Sequence, residues 1–161
     1  MKYFKKFENY TGDIEDIKLS SYVENFGYDS LNLLSSGMYE SFAPSIVKYI
    51  GKKLDLTTYF ISDSGSFRLN KLYYFLFVDN DGNSVDITLI TNDDNKKIDI
   101  NMINSSTVGI GLGKIIIEEV KNFALDNDYI ISVSNVTNTH FWDKLGFKEW
   151  GNGKEFLRFN N

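Results

Sequence analysis

Three glycines and a lysine, Gly109-Ile110-Gly111-Leu112-Gly113-Lys114, stand between an apolar run over residues 98–103 and a helical pattern over 115–125. A glycine-rich turn joining a strand to a helix is suited to binding an anion. Glycines let a ligand approach the backbone, and the amides opening the helix lack internal partners and carry the positive end of its dipole. A phosphate or pyrophosphate is the matching chemistry. A nucleoside-triphosphate loop does not fit, because the position five before Gly113 is Val108 and Ile115 follows Lys114, leaving no hydroxyl for magnesium. A dinucleotide fingerprint fits poorly too. Its third glycine would fall on Lys114, and the acidic end of its next strand on Ser132, Val133 and Ser134.

The stretch C-terminal to the glycines gives them meaning. An apolar run over 129–133 leads to Asn135 and then to Trp142-Asp143-Lys144-Leu145-Gly146-Phe147. Over residues 98–159 the chain resembles the GNAT acetyltransferase superfamily. In that family Gln/Arg-x-x-Gly-x-Gly/Ala binds the coenzyme A pyrophosphate, and an Asn heads a helix ending in aromatic-x-Lys-x-Gly-Phe. The family glycines fall on Gly111 and Gly113, its Gln/Arg on Val108, and the aromatic lies seven residues after Asn135.

The resemblance implies a mixed α/β (α+β) domain. Its central sheet would be mostly antiparallel, with one parallel pair splayed at the cofactor site and about four flanking helices. It also implies transfer of an acetyl group from acetyl-CoA to a primary amine, whether on a small molecule, a lysine or a protein N-terminus. Residues 96–161 would bind coenzyme A and residues 1–95 would form the acceptor side of a single domain. The backbone edge at Met102 and Ile103 would take the pantetheine and the thioester oxygen. Amides from Val108, Gly109, Ile110, Gly111, Leu112, Gly113 and Lys114 would hold the pyrophosphate. Val108 cannot donate a side-chain hydrogen bond and is read as packing at the helix entry. Asn135 is expected to cap the helix, to contact the pantetheine amide, or both.

The resemblance implies proton-transfer groups, and strand parity says which side chains share a face. Lys97, Asp99 and Asn101 share one face of a strand over 98–103, with Ile103 further along it. Asp99 is the only carboxylate among them, and because the resemblance implies a base on this strand, often acting through water, Asp99 is the expected base; its alternative is a solvated or cross-strand paired aspartate. Asp86, Tyr73 and Tyr74 are alternates. The family often places tyrosine, the acid for the departing thiolate, where this chain has Trp142, whose indole N–H is not a proton donor near neutral pH. Either the thiolate leaves unprotonated, or a water or another tyrosine substitutes, or turnover is impaired. His140, the lone histidine, lies two residues from Trp142 and so on another helical face, which suits a structural role. Val108 and Trp142 therefore keep a second reading open, a GNAT-fold protein that binds a partner without catalysing.

Composition is compatible with both. A chain of 161 residues without cysteine builds its core without disulfides or zinc thiolates. A net charge of −5 argues against general nucleic-acid binding and favours a cationic acceptor. No run reaches a membrane span or a signal-peptide core, so a cytoplasmic protein is expected. The aromatic content of 16% leaves room for an apolar cleft or a homodimer face.

The elements that must carry these groups are read from periodicity. Residues 2–8 suit a strand, 13–26 and 30–51 helices, the second kinked or split at Pro44, and 57–62 a short strand. Strands over 69–78, 85–91 and 98–103 form an antiparallel meander, with Asp81-Gly82 in the first turn. Asp-x-Asp-Gly at that turn lacks the glutamate and the helical flanks of a calcium loop. A helix over 115–125 and a parallel strand from Tyr129 come next. Residues 150–153 turn a closing hairpin ending at 156–159.

Overall fold

The computed structural model describes residues 12–34, 42–61, 66–67, 70–149 and 157–159. Among them nine strands form one sheet of mixed α/β type: β1 (Leu31–Leu33), β2 (Thr57–Ile61), β3 (Ser66–Phe67), β4 (Asn70–Val78), β5 (Ser84–Asn92), β6 (Lys97–Ser105), β7 (Ile130–Val133), β8 (Lys148–Glu149) and β9 (Leu157–Phe159). Three α-helices accompany them, α1 (Phe42–Leu54), α2 (Leu112–Asp126) and α3 (Thr139–Lys144). The order is β1-β2-β4-β5-β6-β7-β9-β8, with β3 beside β4. Every pairing is antiparallel except β6 with β7. The expected strand at 2–8 and the turn at 150–153 lie outside the described residues.

Alternation builds two cores. Phe75, Phe77, Val85, Ile87, Leu89, Ile98 and Ile100 point to the face covered by α1 and α2, where Ile46, Ile50, Ile116 and Val120 are fully buried. Each such aliphatic side chain contributes roughly 1.5–3 kcal/mol on leaving water. Leu76, Val78, Tyr59 and Ile61 point the other way, under Ile17 and Val23 of residues 12–34. The central strand β5 is therefore buried on both faces.

The meander and the parallel β6–β7 pair stand as the sequence predicts, the latter because the α2 crossover returns the chain to the same sheet edge. At the β4–β5 turn Gly82 has φ 76°, and Asp79 accepts the amides of Asp81 (2.9 Å) and Asn83 (2.8 Å), so that carboxylate closes the turn.

The first expected helices are corrected. Residues 14–30 form only three 3₁₀ turns, Ile14–Asp16, Val23–Asn25 and Tyr28–Ser30. Ile17 and Val23 are anchors pressed on the sheet, not one stripe of a helix, and Ser20 is drawn into the sheet by Asp86. Leu31 and Leu33 belong to β1, one buried and one exposed, as pleating requires. Pro44 neither splits nor kinks α1: it is the third residue, in a first turn whose amides have no helical partner to lose.

Candidate functional site

The site is organised by one extra residue. Thr88 lies opposite Met102 and Leu89 opposite Ile100, so Asn101 is a bulge in β6. The parallel partner stops at the same level: Ile100 pairs with Val133, and the last bond runs from Ser134 N to Ile100 O at 3.0 Å. Beyond it β7 turns away through Asn135, held at φ 55°, and the two strands part. Ser106 N donates to Ser84 O at 2.9 Å. By strand alternation the amides of Met102 and Asn104 then face β5, whereas N–H and C=O of Ile103 face the gap.

This corrects the expected parity. The bulge reverses the faces, so Asp99, Met102 and Asn104 share the face away from α2, while Ile103 joins Ile98 and Ile100 on the helix side. Of the two edge residues named from sequence, Ile103 and not Met102 offers its backbone to the gap. Its side chain lies close to Gly113, where an added β-carbon would come within 3.5 Å of Ile103 Cδ1.

The glycine turn adjoins the gap, since Val108 and Gly113 line one cavity with Ile103 and Trp142. Gly109 (φ 92°) and Gly111 (φ 80°) adopt left-handed backbone, and Gly111 is the N-cap of α2 with no side-chain cap bond. An added β-carbon at either would meet nothing within 4 Å, so conformation, not crowding, calls for glycine. The first helical N–H to find a partner is Ile115, bonded to Gly111 O at 3.1 Å; the amides of Leu112, Gly113 and Lys114 open outward. Val108 is 92% exposed, so it does not pack at the helix entry as expected, and Ile110 is exposed too.

Three cavities adjoin along the gap. One of about 390 Å³ runs from Val108 and Gly113 to Trp142, with Ser20 and Asn104 on its wall. A second, about 280 Å³, shares Ile103, Asn104, Thr137 and Trp142 with it. A third, about 390 Å³, shares Asn101, Ser134 and Asn135 with the second and holds Asp99. The gap is thus lined from the glycine turn to the opposite face of the sheet.

Two carboxylates flank it. Asp99 is 9% exposed and accepts hydroxyl bonds from Ser132 (2.6 Å) and Ser134 (2.5 Å) of the neighbouring strand and the turn after it. Asp86 is 2% exposed and accepts from Ser20 Oγ and from Asn104 Nδ2 at 2.9 Å. Burial pushes the Asp86 carboxyl above its ordinary 3.8, and the bonds from Ser20 and Asn104 only partly offset that. Tyr22 is likewise pushed up by burial and by Tyr74 beside it. Tyr73 stacks on Phe75 with centroids 5.6 Å apart, and Tyr74 lies between Tyr22 and Phe26.

Trp142 is buried at 4% exposure, edge-to-face with Phe141 (5.0 Å) and Phe147 (5.2 Å), and walls the first two cavities. Leu145 and Phe147 are core, as read from sequence. Asn138, not Asn135, caps α3, accepting from Phe141 N at 3.2 Å. Asn135 lies four residues before that helix, exposed at the junction of the second and third cavities. His140 is exposed. Sequence reasoning missed Ser20, Thr137 and Asn138. Asn104 was within reach, since it lies opposite Asp86 in the register.

Among the described residues no cluster of three or more His, Cys, Asp or Glu could hold a metal, and no helix is long and apolar enough to cross a membrane. No family model matches the chain, and no curated protein matches it. The crystal structure of the anti-CRISPR protein AcrVA5 is similar over 47% of this chain and 90% of that one, at 16% identity and a TM-score of 0.41, a likeness too slight to establish either fold or function here.

Proposed function

We propose that the chain is an N-acetyltransferase of GNAT type, moving an acetyl group from acetyl-CoA to a primary amine in a ternary complex. The observation that carries this reading is the end of β6–β7 pairing at Ile100 and Val133, with an uncapped helix N-terminus beside a cavity that adjoins it and a buried carboxylate on β6. The residues fit the ligand: left-handed glycines leave open space at the turn, and the adjoining cavities extend from it through the sheet. When bound, acetyl-CoA supplies an acyl carbonyl activated by a thiolate leaving group.

The chain's own residues do the rest. Amides from Val108 to Lys114 hold the pyrophosphate, with help from the α2 dipole. The Ile103 N–H donates to the carbonyl oxygen, where negative charge develops as the amine attacks. Asp99 takes the proton released from the amine nitrogen as the C–N bond forms and the C–S bond breaks. Trp142 would shape the cavity and keep water out, and its indole would supply no proton to the departing sulfur. Asp99 is preferred to Asp86 because Asp99 borders a cavity while Asp86 sits behind Ser20 and Asn104.

A second reading, a protein of this fold that binds without turnover, is favoured by Trp142 and Val108, which remove the usual acid and a usual polar contact. A thiol-release assay with acetyl-CoA and a panel of amines separates the two. Turnover reduced about 10²–10⁴-fold by Asp99→Asn is expected. Turnover indifferent to that change overturns Asp99 as base, and acetyl-CoA binding with no release from any amine selects the second reading.

A further inference from the structure

The third cavity, on the sheet face away from α2, has a lining of unusual uniformity. Side-chain amides of Asn70, Asn92, Asn101 and Asn135 come from β4, β5, β6 and the turn after β7, so the sheet sets the spacing of the first three. Among the described residues Asp99 is its only carboxylate, Lys97 its only cation, and Ile90 its only apolar side chain. Its volume of about 390 Å³ falls within the range of small-molecule clefts.

The polar groups are already oriented. Asn101 Nδ2 donates to Ser134 Oγ at 3.1 Å, and the Ser134 hydroxyl donates onward to Asp99. That chain leaves the Asn101 oxygen as an acceptor, and with Ser132 it brings two hydroxyl donors to Asp99. Asn92 Nδ2 donates to Asn70 Oδ1 at 3.0 Å, leaving the Asn70 amide nitrogen as a donor. The basin thus offers both donors and acceptors beside one anion.

Resting on the acetyl-transfer reading above, we propose that this basin seats the acceptor, and that the acceptor is a polyhydroxylated primary amine, an amino sugar. Asp99 pairs with its ammonium, and the asparagine amides, each both donor and acceptor, pair with ring hydroxyls. A polyamine would find one negative charge with Lys97 beside it. An alkyl or aryl amine would find one isoleucine and would leave the amides unpaired, which costs affinity. The amine bound at Asp99 is next to the gap, because Asn101, Ser134 and Asn135 belong to both cavities.

The test uses two readouts on the full chain. Glucosamine, hexylamine and spermidine are titrated calorimetrically into protein saturated with coenzyme A, and each is then assayed for thiol release from acetyl-CoA together with a lysyl peptide. Glucosamine is expected to bind, and to exceed the others in kcat/KM by about tenfold or more. Asn70→Leu, remote from the gap, is expected to raise KM for glucosamine about tenfold while leaving acetyl-CoA affinity unchanged. Equal or better use of hexylamine, spermidine or the peptide overturns the proposal, as does an Asn70→Leu variant with unaltered KM. Glucosamine bound but never acetylated would leave the basin standing and refute acetyl transfer; glucosamine not bound refutes the basin, whatever the turnover.

Discussion

Gly111 separates a structural role from an electrostatic one in a single pair of variants. Its φ of 80° and ψ of 0° would cost an L-residue about 1–2 kcal/mol. Nothing lies within 4 Å of an added β-carbon, so no clash adds to that cost. Gly111→Ala should therefore lower Tm by roughly 2–8 °C, using about 2–4 °C per kcal/mol for a chain of this size. Gly111→Glu carries the same backbone strain, but its carboxylate at the helix N-terminus recovers about 0.3–1 kcal/mol, so its stability should match or exceed that of the alanine variant. Ligand affinity should separate them in the opposite direction. A carboxylate roughly 5 Å from each of two phosphate charges costs about 0.8 kcal/mol per charge in water, a factor of roughly fifteen in Kd for the pair. Calorimetric titration with acetyl-CoA should show this ratio between the two variants, diminishing as salt is added. Equal affinity in both, or a difference indifferent to salt, would refute the placement of a pyrophosphate at this turn.

Two further perturbations concern the frame around the site. Gly51→Ala in α1 would ordinarily stabilise a helix by about 1 kcal/mol, yet its β-carbon would lie 2.5 Å from Thr58 Cγ2 and 3.1 Å from Leu56 O, so overpacking of about 1–3 kcal/mol should prevail. Urea unfolding should show a net loss, relieved by Thr58→Ser; a gain would mean that β2 gives way easily. Asp86→Asn should gain stability on the parent as pH rises from about 4 to 7. The folded protein holds the Asp86 proton more tightly than the unfolded chain does, so parental stability falls as pH climbs from 3.8 through the raised value and the loss persists above it. Ser20 can still donate to the asparagine oxygen, and Asn104 can turn its amide to accept. A constant difference between variant and parent across that range would show that burial does not raise this carboxyl.

What could be read from sequence was what repeats locally. The strands β4, β5 and β6 alternate cleanly between turn residues, and α2 carries Ile116, Val120 and Ala124 at helical spacing, so both were legible. The glycine turn was legible because left-handed backbone demands glycine at 109 and 111. Residues 14–30 misled because Ile14 and Ile17 stand three apart, a spacing a helix would produce, whereas long-range contacts to Leu76, Val78 and Asp86 decide the conformation of this stretch. Asn138 displaced Asn135 as the α3 cap because β7 ends in a turn long enough to delay the helix. The Asp99–Ser134–Asn101 chain joins residues 33 to 35 apart, a closeness that only the β6–β7 register creates.

The bulge at Asn101 is the exception, for its trace is in the sequence. Apolar side chains that face α1 and α2 stand at Ile98 and Ile100 and then at Ile103, a shift from even to odd positions within one strand. Period-two alternation cannot make that shift without inserting a residue. The same insertion has three consequences at once. It leaves Asp99 on the far face while bringing Ile103 under α2; it turns the Ile103 amide to an edge that β7 has just left; and it sets Asn101 at the mouth of the polar basin. An unbulged β6 would carry Ile103 on the same face as Asp99, and the close approach between Ile103 and Gly113, which brings α2 against the strand, would be lost. The glycine turn and the carboxylate are therefore not independent features that happen to be near each other: a single irregularity in the strand between them fixes which face each serves.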